Sequence, residues 1–253
     1  MQHRINTSIL FACLGLVALC LSALGVSAQA QQPPVTVQVE ILKQNVGKQS
    51  TPATAADASN VILWLVLIDE TSSTASARPP ASPPQLVQKN KSFEPHVLVV
   101  QVGTTVQFPN KDPFFHNVFS LFDGKRFDLG LYEGGSTNSA RFDRPGVSFL
   151  FCNIHPEMSA VILAVESPYF GRSDRLGHAS IPNVPDGRYL LRVWYERSSP
   201  ESLKTLERIV NISASARSLE HVQVVDSGDF KLAHKNKYGQ DYAPPASPAY
   251  NHP

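Results

Sequence analysis

Charge is in short supply. Only 17% of the 253 residues are Asp, Glu, Lys or Arg, and 22 basic side chains nearly cancel 21 acidic ones. A nucleic-acid binder concentrates basic side chains against phosphates, so this balance argues against that class of partner. There is no Gly-rich phosphate loop, no Gly-x-Ser-x-Gly elbow and no His-Glu-x-x-His zinc pair, so catalysis by those routes is unsupported and no enzyme is expected. Methionine and tryptophan occur twice each and cysteine three times. At 42% hydrophobic the composition is globular. Its 20 prolines favour short strands and turns over helix bundles.

The N-terminus has a positive start at Met1–Arg4, an apolar run from Ile9 to Val26, and small residues at Val26-Ser27-Ala28 and Ala28-Gln29-Ala30. These features read as a secretory signal over residues 1–28, cleaved after Ala28 or Ala30. The competing reading is an uncleaved anchor, since eighteen apolar residues are just enough to span a bilayer. Membrane association is expected only in that case. Cleavage removes Cys13 and Cys20 and leaves Cys152 alone. An exported protein normally pairs its cysteines, so a single thiol in a periplasmic or extracellular protein asks for a partner chain, a reactive role or a metal.

Downstream, the pattern is β throughout. Val35–Leu42 alternates apolar and polar, and Val61–Ile68 is an eight-residue apolar run, read as a buried strand. A Ser/Pro-rich excursion follows at about 70–84. Further strands are expected at Leu86–Gln88, His96–Gln101, Thr104–Phe108, Ser139–Asp143, Gly146–Cys152 and Ala160–Glu166. After the Ser167-Pro168 break come Ala179–Ile181, Tyr189–Tyr195, Leu206–Ile212 and His221–Val225. Glu201–Leu206 offers one helical turn. Asp123, Arg126 and Asp128 read as a solvated turn, and the polar tail 228–253 as extended or disordered. The fold class is all-β: a Greek-key β-sandwich over 33–166, then a smaller β-sandwich over 167–227.

The chemistry concentrates in Phe149-Leu-Phe-Cys-Asn-Ile-His-Pro-Glu-Met158. Cys152, His155 and Met158 lie three residues apart on one tight loop. Thiolate, imidazole and thioether are soft and borderline ligands that suit copper, and a type 1 site needs two His, one Cys and a weak axial Met. The missing ligand is an upstream His. His116, 36 residues before Cys152, sits in a β context. Its nearest competitor, His96, follows Pro95 and lacks the adjoining Asn. Asn117 is expected to tie the His116 strand to the Cys loop, and Pro156 to stiffen that loop. Phe114, Phe115, Phe149 and Phe151 are expected to shield the metal. Glu157 places a hard carboxylate beside it.

With those residues in view, the chain resembles the cupredoxins, the plastocyanin and azurin family. Its Cys-x-x-His-x-x-Met loop is most similar to that of amicyanin. The likeness runs from about Val97 to Glu166 through Gly103-Thr-Thr-Val-Gln-Phe, His116-Asn-Val and the Cys152 loop. It implies one type 1 copper held by His116, Cys152, His155 and Met158. Gly177-His-Ala-Ser-Ile-Pro-Asn-Val-Pro-Asp-Gly-Arg-Tyr-Leu-Leu-Arg-Val-Trp194 is similar to the carboxypeptidase-regulatory or transthyretin-like β-sandwich, which implies a binding or spacing module.

The function expected from this reading is one-electron transfer to a redox partner protein by an exported single-copper protein. Two alternatives stand beside it. One is copper handling or sensing without electron shuttling, and the other is an envelope β-sandwich binding module with an incidental metal site. No His-x-His pair is present to ligate the further centres of a multicopper oxidase.

Overall fold

Strands make up nearly all the regular structure in the computed structural model, which describes residues 32–43, 51–52, 57–68, 82–121, 124–228 and 235–242. They are β1 (Val35–Lys43), β2 (Thr51–Pro52), β3 (Ile62–Leu67), β4 (Val87–Lys89), β5 (Ser92–Glu94), β6 (Val97–Gln101), β7 (Thr104–Pro109), β8 (His116–Ser120) and β9 (Phe127–Tyr132). There follow β10 (Thr137–Phe142), β11 (Gly146–Phe151), β12 (Ser159–Val165), β13 (Phe170–Arg172), β14 (His178–Ile181) and β15 (Gly187–Trp194). A short helix α1 (Pro200–Lys204) precedes β16 (Arg208–Ile212) and β17 (Val222–Asp226). The protein is all-β, as its sequence leads one to expect. The signal segment and most of the 70–84 excursion lie outside the described residues. Among the described residues, no helix is long and apolar enough to cross a membrane.

Four sheets stack face to face. The first runs β14-β1-β17 with β2 at the side, the second β13-β3-β15-β16, the third β6-β12-β11-β8-β9, and the fourth is the pair β10-β7. A hairpin of β4 and β5 adds to the fourth layer through bridges from Gln85 and Gln88 to Gln107 and Asn110. Gly103 turns β6 into β7 at a φ of +94°, a conformation open to glycine at little cost.

The apolar runs mark the inner sheets. In β3, Leu63 and Leu65 enter the core shared with the first sheet, while Ile62 and Trp64 enter the core shared with the third. In β12, Ala160, Ile162 and Ala164 face the fourth layer while Val161, Leu163 and Val165 face β3 and its neighbours. A strand buried on both faces has no use for a polar residue at every second position. In β1 only one face is covered, and it alternates as a half-buried strand should.

The pairing crosses the division expected at residue 167. β1 pairs antiparallel with β14 and parallel with β17, and β3 pairs with β13 and β15. The two strands before residue 68 therefore complete the sandwich whose other strands follow residue 169. The stretch that carries β4 to β12 runs between them. Alternation and apolar content locate a strand, but its hydrogen-bonding neighbour is decided by long-range packing.

His96, just before β6, joins the second and third layers. Its Nε2 lies 2.7 Å from Glu196 Oε2, beyond β15, and its Nδ1 lies 3.3 Å from the Ser159 carbonyl oxygen. The hydrogen bond to Glu196 raises the His96 pKa against the opposing effect of burial. A group with a raised folded pKa adds stability that is complete below its unfolded value and is lost as pH climbs through the folded one. The contact is partly exposed, so its worth is small. Between about pH 6 and pH 9 the thermal midpoint should fall about 2 °C further in the wild type than in Glu196→Gln. Parallel calorimetric pH series of the two proteins check this, and identical series would remove the contact from the stability account.

Candidate metal centre

The centre lies at one end of the third sheet, and strand direction puts it there. β8 begins with His116 and runs antiparallel to β11, with Phe119 opposite Phe151. The first residue of one strand and the residue after the last of the other therefore meet at the same end. Cys152 is that second residue, and the loop from it to Met158 returns the chain into β12. Its closure is tight: the Cys152 N–H donates to the Met158 carbonyl at 3.4 Å, and the Met158 N–H to the His155 carbonyl at 3.1 Å.

Three side chains converge there. His116 Nδ1 lies 3.1 Å from His155 Nδ1, and Cys152 Sγ lies 3.9 Å and 3.6 Å from those two nitrogens. Among the described residues this is the one group of three or more His, Cys, Asp or Glu side chains close enough to hold a metal ion. His116, Cys152 and Met158 are fully buried, and His155 is partly exposed. Met158 belongs to the same apolar cluster as Cys152. Glu157 is exposed and outside the triangle, acting on Cys152 and His155 through its charge alone. His96 is engaged with Glu196 instead.

Asp112, which sequence reasoning passed over, holds the His116 ring. Its Oδ2 accepts from His116 Nε2 at 2.8 Å, which leaves Nδ1 to face the other two groups. Burial would push this carboxyl up, but the Lys91 N–H, the His116 ring and the Asn90 N–H outweigh it and keep the pKa low. A carboxylate behind an imidazole sets its tautomer and orientation. The signal was legible: Asp112 stands four residues before His116, in a Pro-containing turn.

Other expectations need correction. Asn117 does tie its strand to the Cys loop, though through its backbone; its side-chain Nδ2 donates to Asp128 Oδ1 at 2.7 Å and to the Gly130 carbonyl at 2.9 Å, binding β8 to β9. It is the backbone N–H of Asn117 that bonds the Cys152 sulfur. Asp128 accordingly lies exposed in strand β9 as an acceptor rather than in a turn, and Asp123 lies outside the described residues. Of the four phenylalanines, Phe114 meets the site, with its ring centroid 5.2 Å from that of His116 and 5.7 Å from that of His155. Phe115 is exposed, Phe149 packs in the layer between the second and third sheets, and Phe151 stacks on Phe119. Successive residues of a strand face opposite ways, so Leu150 and Cys152 share a face from which Phe149 and Phe151 are excluded. Pro156 sits at the exposed turn of the loop.

No family model matches the chain, and no curated protein matches it. Among solved structures, it is similar to a copper-containing nitrite reductase from Thermus scotoductus SA-01, at 29% identity over 34% of this chain and 23% of that one, with a TM-score of 0.33. It is also similar to a purple cupredoxin from Nitrosopumilus maritimus, at 24% identity over 32% of this chain and 99% of that one, with a TM-score of 0.30. A reduced variant of amicyanin matches at 20% identity over 34% of this chain and 84% of its own, with a TM-score of 0.32. The chain thus spans less than a quarter of the reductase, and each likeness covers about a third of the chain itself.

The donor triangle itself fits a metal. Its edges match what one ion spans with bonds of about 2.0–2.3 Å to nitrogen and sulfur. In the metal-free protein, burial pushes the Cys152 thiol above its ordinary 9.0, against the backbone N–H groups of Ile154, Asn117 and His155. Burial and then the neighbouring His116 press His155 below its ordinary 6.5. At neutral pH the thiol therefore carries a proton that a metal must displace, while His155 is already neutral. Between about pH 7 and pH 9 the affinity for Co(II) or Cu(II) should rise about tenfold per pH unit, with one proton released from Cys152. Titration calorimetry in buffers of different ionisation enthalpy measures that count, and release of no proton would contradict the raised thiol.

Proposed function

We propose that this chain holds one copper ion between His116, Cys152, His155 and Met158 as a type 1 centre and works in one-electron transfer as an exported protein. The observation that carries the reading is the triangle of His116 Nδ1, His155 Nδ1 and Cys152 Sγ, with edges of 3.1 to 3.9 Å, at the buried end of a sheet. Two imidazoles and a thiolate with a thioether nearby form the donor set of such a site, and bound copper would supply a one-electron couple.

The chain's own residues do the rest. Asp112 locks the His116 ring, and the Asn117 N–H bonds the Cys152 sulfur. Fixing both ligands before electron transfer limits how far the site must rearrange. Phe114 and the apolar cluster around Cys152 and Met158 exclude water. His155 reaches the surface next to Ile154 and against the Phe114 ring, both exposed, and this apolar rim is where a redox partner protein would approach. With a net charge of +1, docking should depend little on salt.

Visible absorption, EPR and voltammetry of the protein loaded with Cu(II) test the reading together. An intense thiolate-to-copper band, narrow copper hyperfine splitting and a fast reversible couple support it. A pale tetragonal spectrum or no uptake would sink it, and a type 1 spectrum with sluggish, irreversible electrochemistry would move the assignment to copper handling.

A further inference from the structure

The tail carries a feature that the strands do not require. Residues 235–242, expected to be extended or disordered, form a turn built on Asn236. Its Oδ1 accepts the N–H groups of Tyr238 and Gln240 at 2.9 and 3.0 Å, and its own N–H donates to the Gln240 carbonyl at 2.9 Å. Gly239 closes the turn at a φ of +77°.

This turn grips the metal centre from two sides. The Lys237 N–H donates to Asn153 Oδ1 at 2.9 Å, on the Cys152 loop. The Lys237 ammonium donates to Asp128 Oδ2 at 2.8 Å, and Asp128 Oδ1 in turn takes the Asn117 amide next to His116. Tyr242 Oη donates to the Cys152 carbonyl at 2.8 Å. The strand that brings in His116 and the loop that brings in the other ligands share one residue pair between β8 and β11, Phe119 with Phe151. Besides that pair and the Asn117 N–H bond to the Cys152 sulfur, the tail adds a further link between them through Asp128 in β9.

We propose that residues 235–242 are a clasp on the metal centre, with Lys237 and Tyr242 as positioning residues that hold the Cys152 loop against the His116 strand and slow the loss of the ion. This deepens the copper reading and rests on it. The bonds involved reach the Cys152 carbonyl, its neighbour Asn153, and Asp128, which holds the Asn117 amide beside His116, and outer partners typically govern affinity by about 10–100-fold.

The test uses the full chain with Lys237→Met, Tyr242→Phe and Lys237→Arg. The first readout is amide hydrogen exchange of the metal-free proteins over residues 127–130 and 152–158. The second is the rate at which copper-loaded protein gives up Cu(I) to excess bicinchoninate, together with the energy of the thiolate-to-copper band. Lys237→Met and Tyr242→Phe should each exchange faster in both segments, lose Cu(I) about 10-fold faster and shift the band. Lys237→Arg, which keeps the cation, should restore most of the wild-type rate. Wild-type exchange and release in both variants would overturn the clasp while leaving the copper reading intact. If the wild type takes up no copper, the copper reading fails, and exchange in the metal-free proteins still decides whether the tail positions the loop. Faster exchange with unchanged Cu(I) release would show a tail that orders the loop without positioning ligands, and would also overturn the proposal.

Discussion

With copper bound as proposed, Cys152→Ala should abolish the intense visible band expected of the loaded protein and lower copper affinity by more than the about 10–100-fold that loss of an outer partner costs. The band belongs to the thiolate, so no remaining ligand can supply it. His116 and His155 would still offer two nitrogens, and a weakly coloured tetragonal complex is the expected residue of binding. The fold should survive. Cys152 is fully buried in the apolar cluster of Met158 and Leu150, and replacing its sulfur with hydrogen leaves only a small void, at about 1 kcal/mol. Absorption and metal titration read the first effect, and denaturant unfolding of the metal-free protein reads the second. A variant that keeps the band would remove Cys152 from the centre. One that loses it together with several kcal/mol of stability would make the thiol chiefly a packing residue.

Leu163→Ala should cost about 2–5 kcal/mol and move the whole protein's unfolding, not that of one sandwich. Leu163 is 4% exposed and projects from β12 into the layer shared with Ile62, Trp64 and Val97. The opposite face of the same strand lines the core next to Cys152 through Ala160 and Ile162. The described residues from 32 onward belong to one compact unit, and the shared layer leaves neither inner sheet able to unfold without exposing the other. A single transition followed by fluorescence and circular dichroism, shifted as one in the variant, is the expected result. Two separated transitions, with only one displaced, would show that the sandwiches fold independently across that layer.

Much of the centre is legible in the chain. Cys152, His155 and Met158 are close in sequence, and a turn of that length brings its ends together in any fold. His116 was found by residue type and β context, and the structure brings it to the other two groups. The supporting contacts were harder. Asn117 was singled out as the tie from its strand to the Cys loop, and its backbone N–H makes that tie, but a side chain's partner depends on which strand lies beside it. Here that strand is β9, which no sequence signal placed there. The roles of Phe149 and Phe151 failed for a simpler reason, since strand alternation alone turns them away from Cys152. Lys237 and Tyr242 were invisible, standing more than eighty residues beyond the loop they bind in a stretch without period.

By itself, then, the sequence determined most of the strands and the donor types on one loop. These depend on local covalent geometry and on the period of apolar residues. Tertiary structure decided which strands pair. It carried β1 and β3 past the whole of β4–β12 to close a second sandwich, and it set the tail against Cys152. Hydrogen-bond partners across a sheet and contacts between distant segments cost loop-closure entropy that only the assembled core repays, so no local signal encodes them.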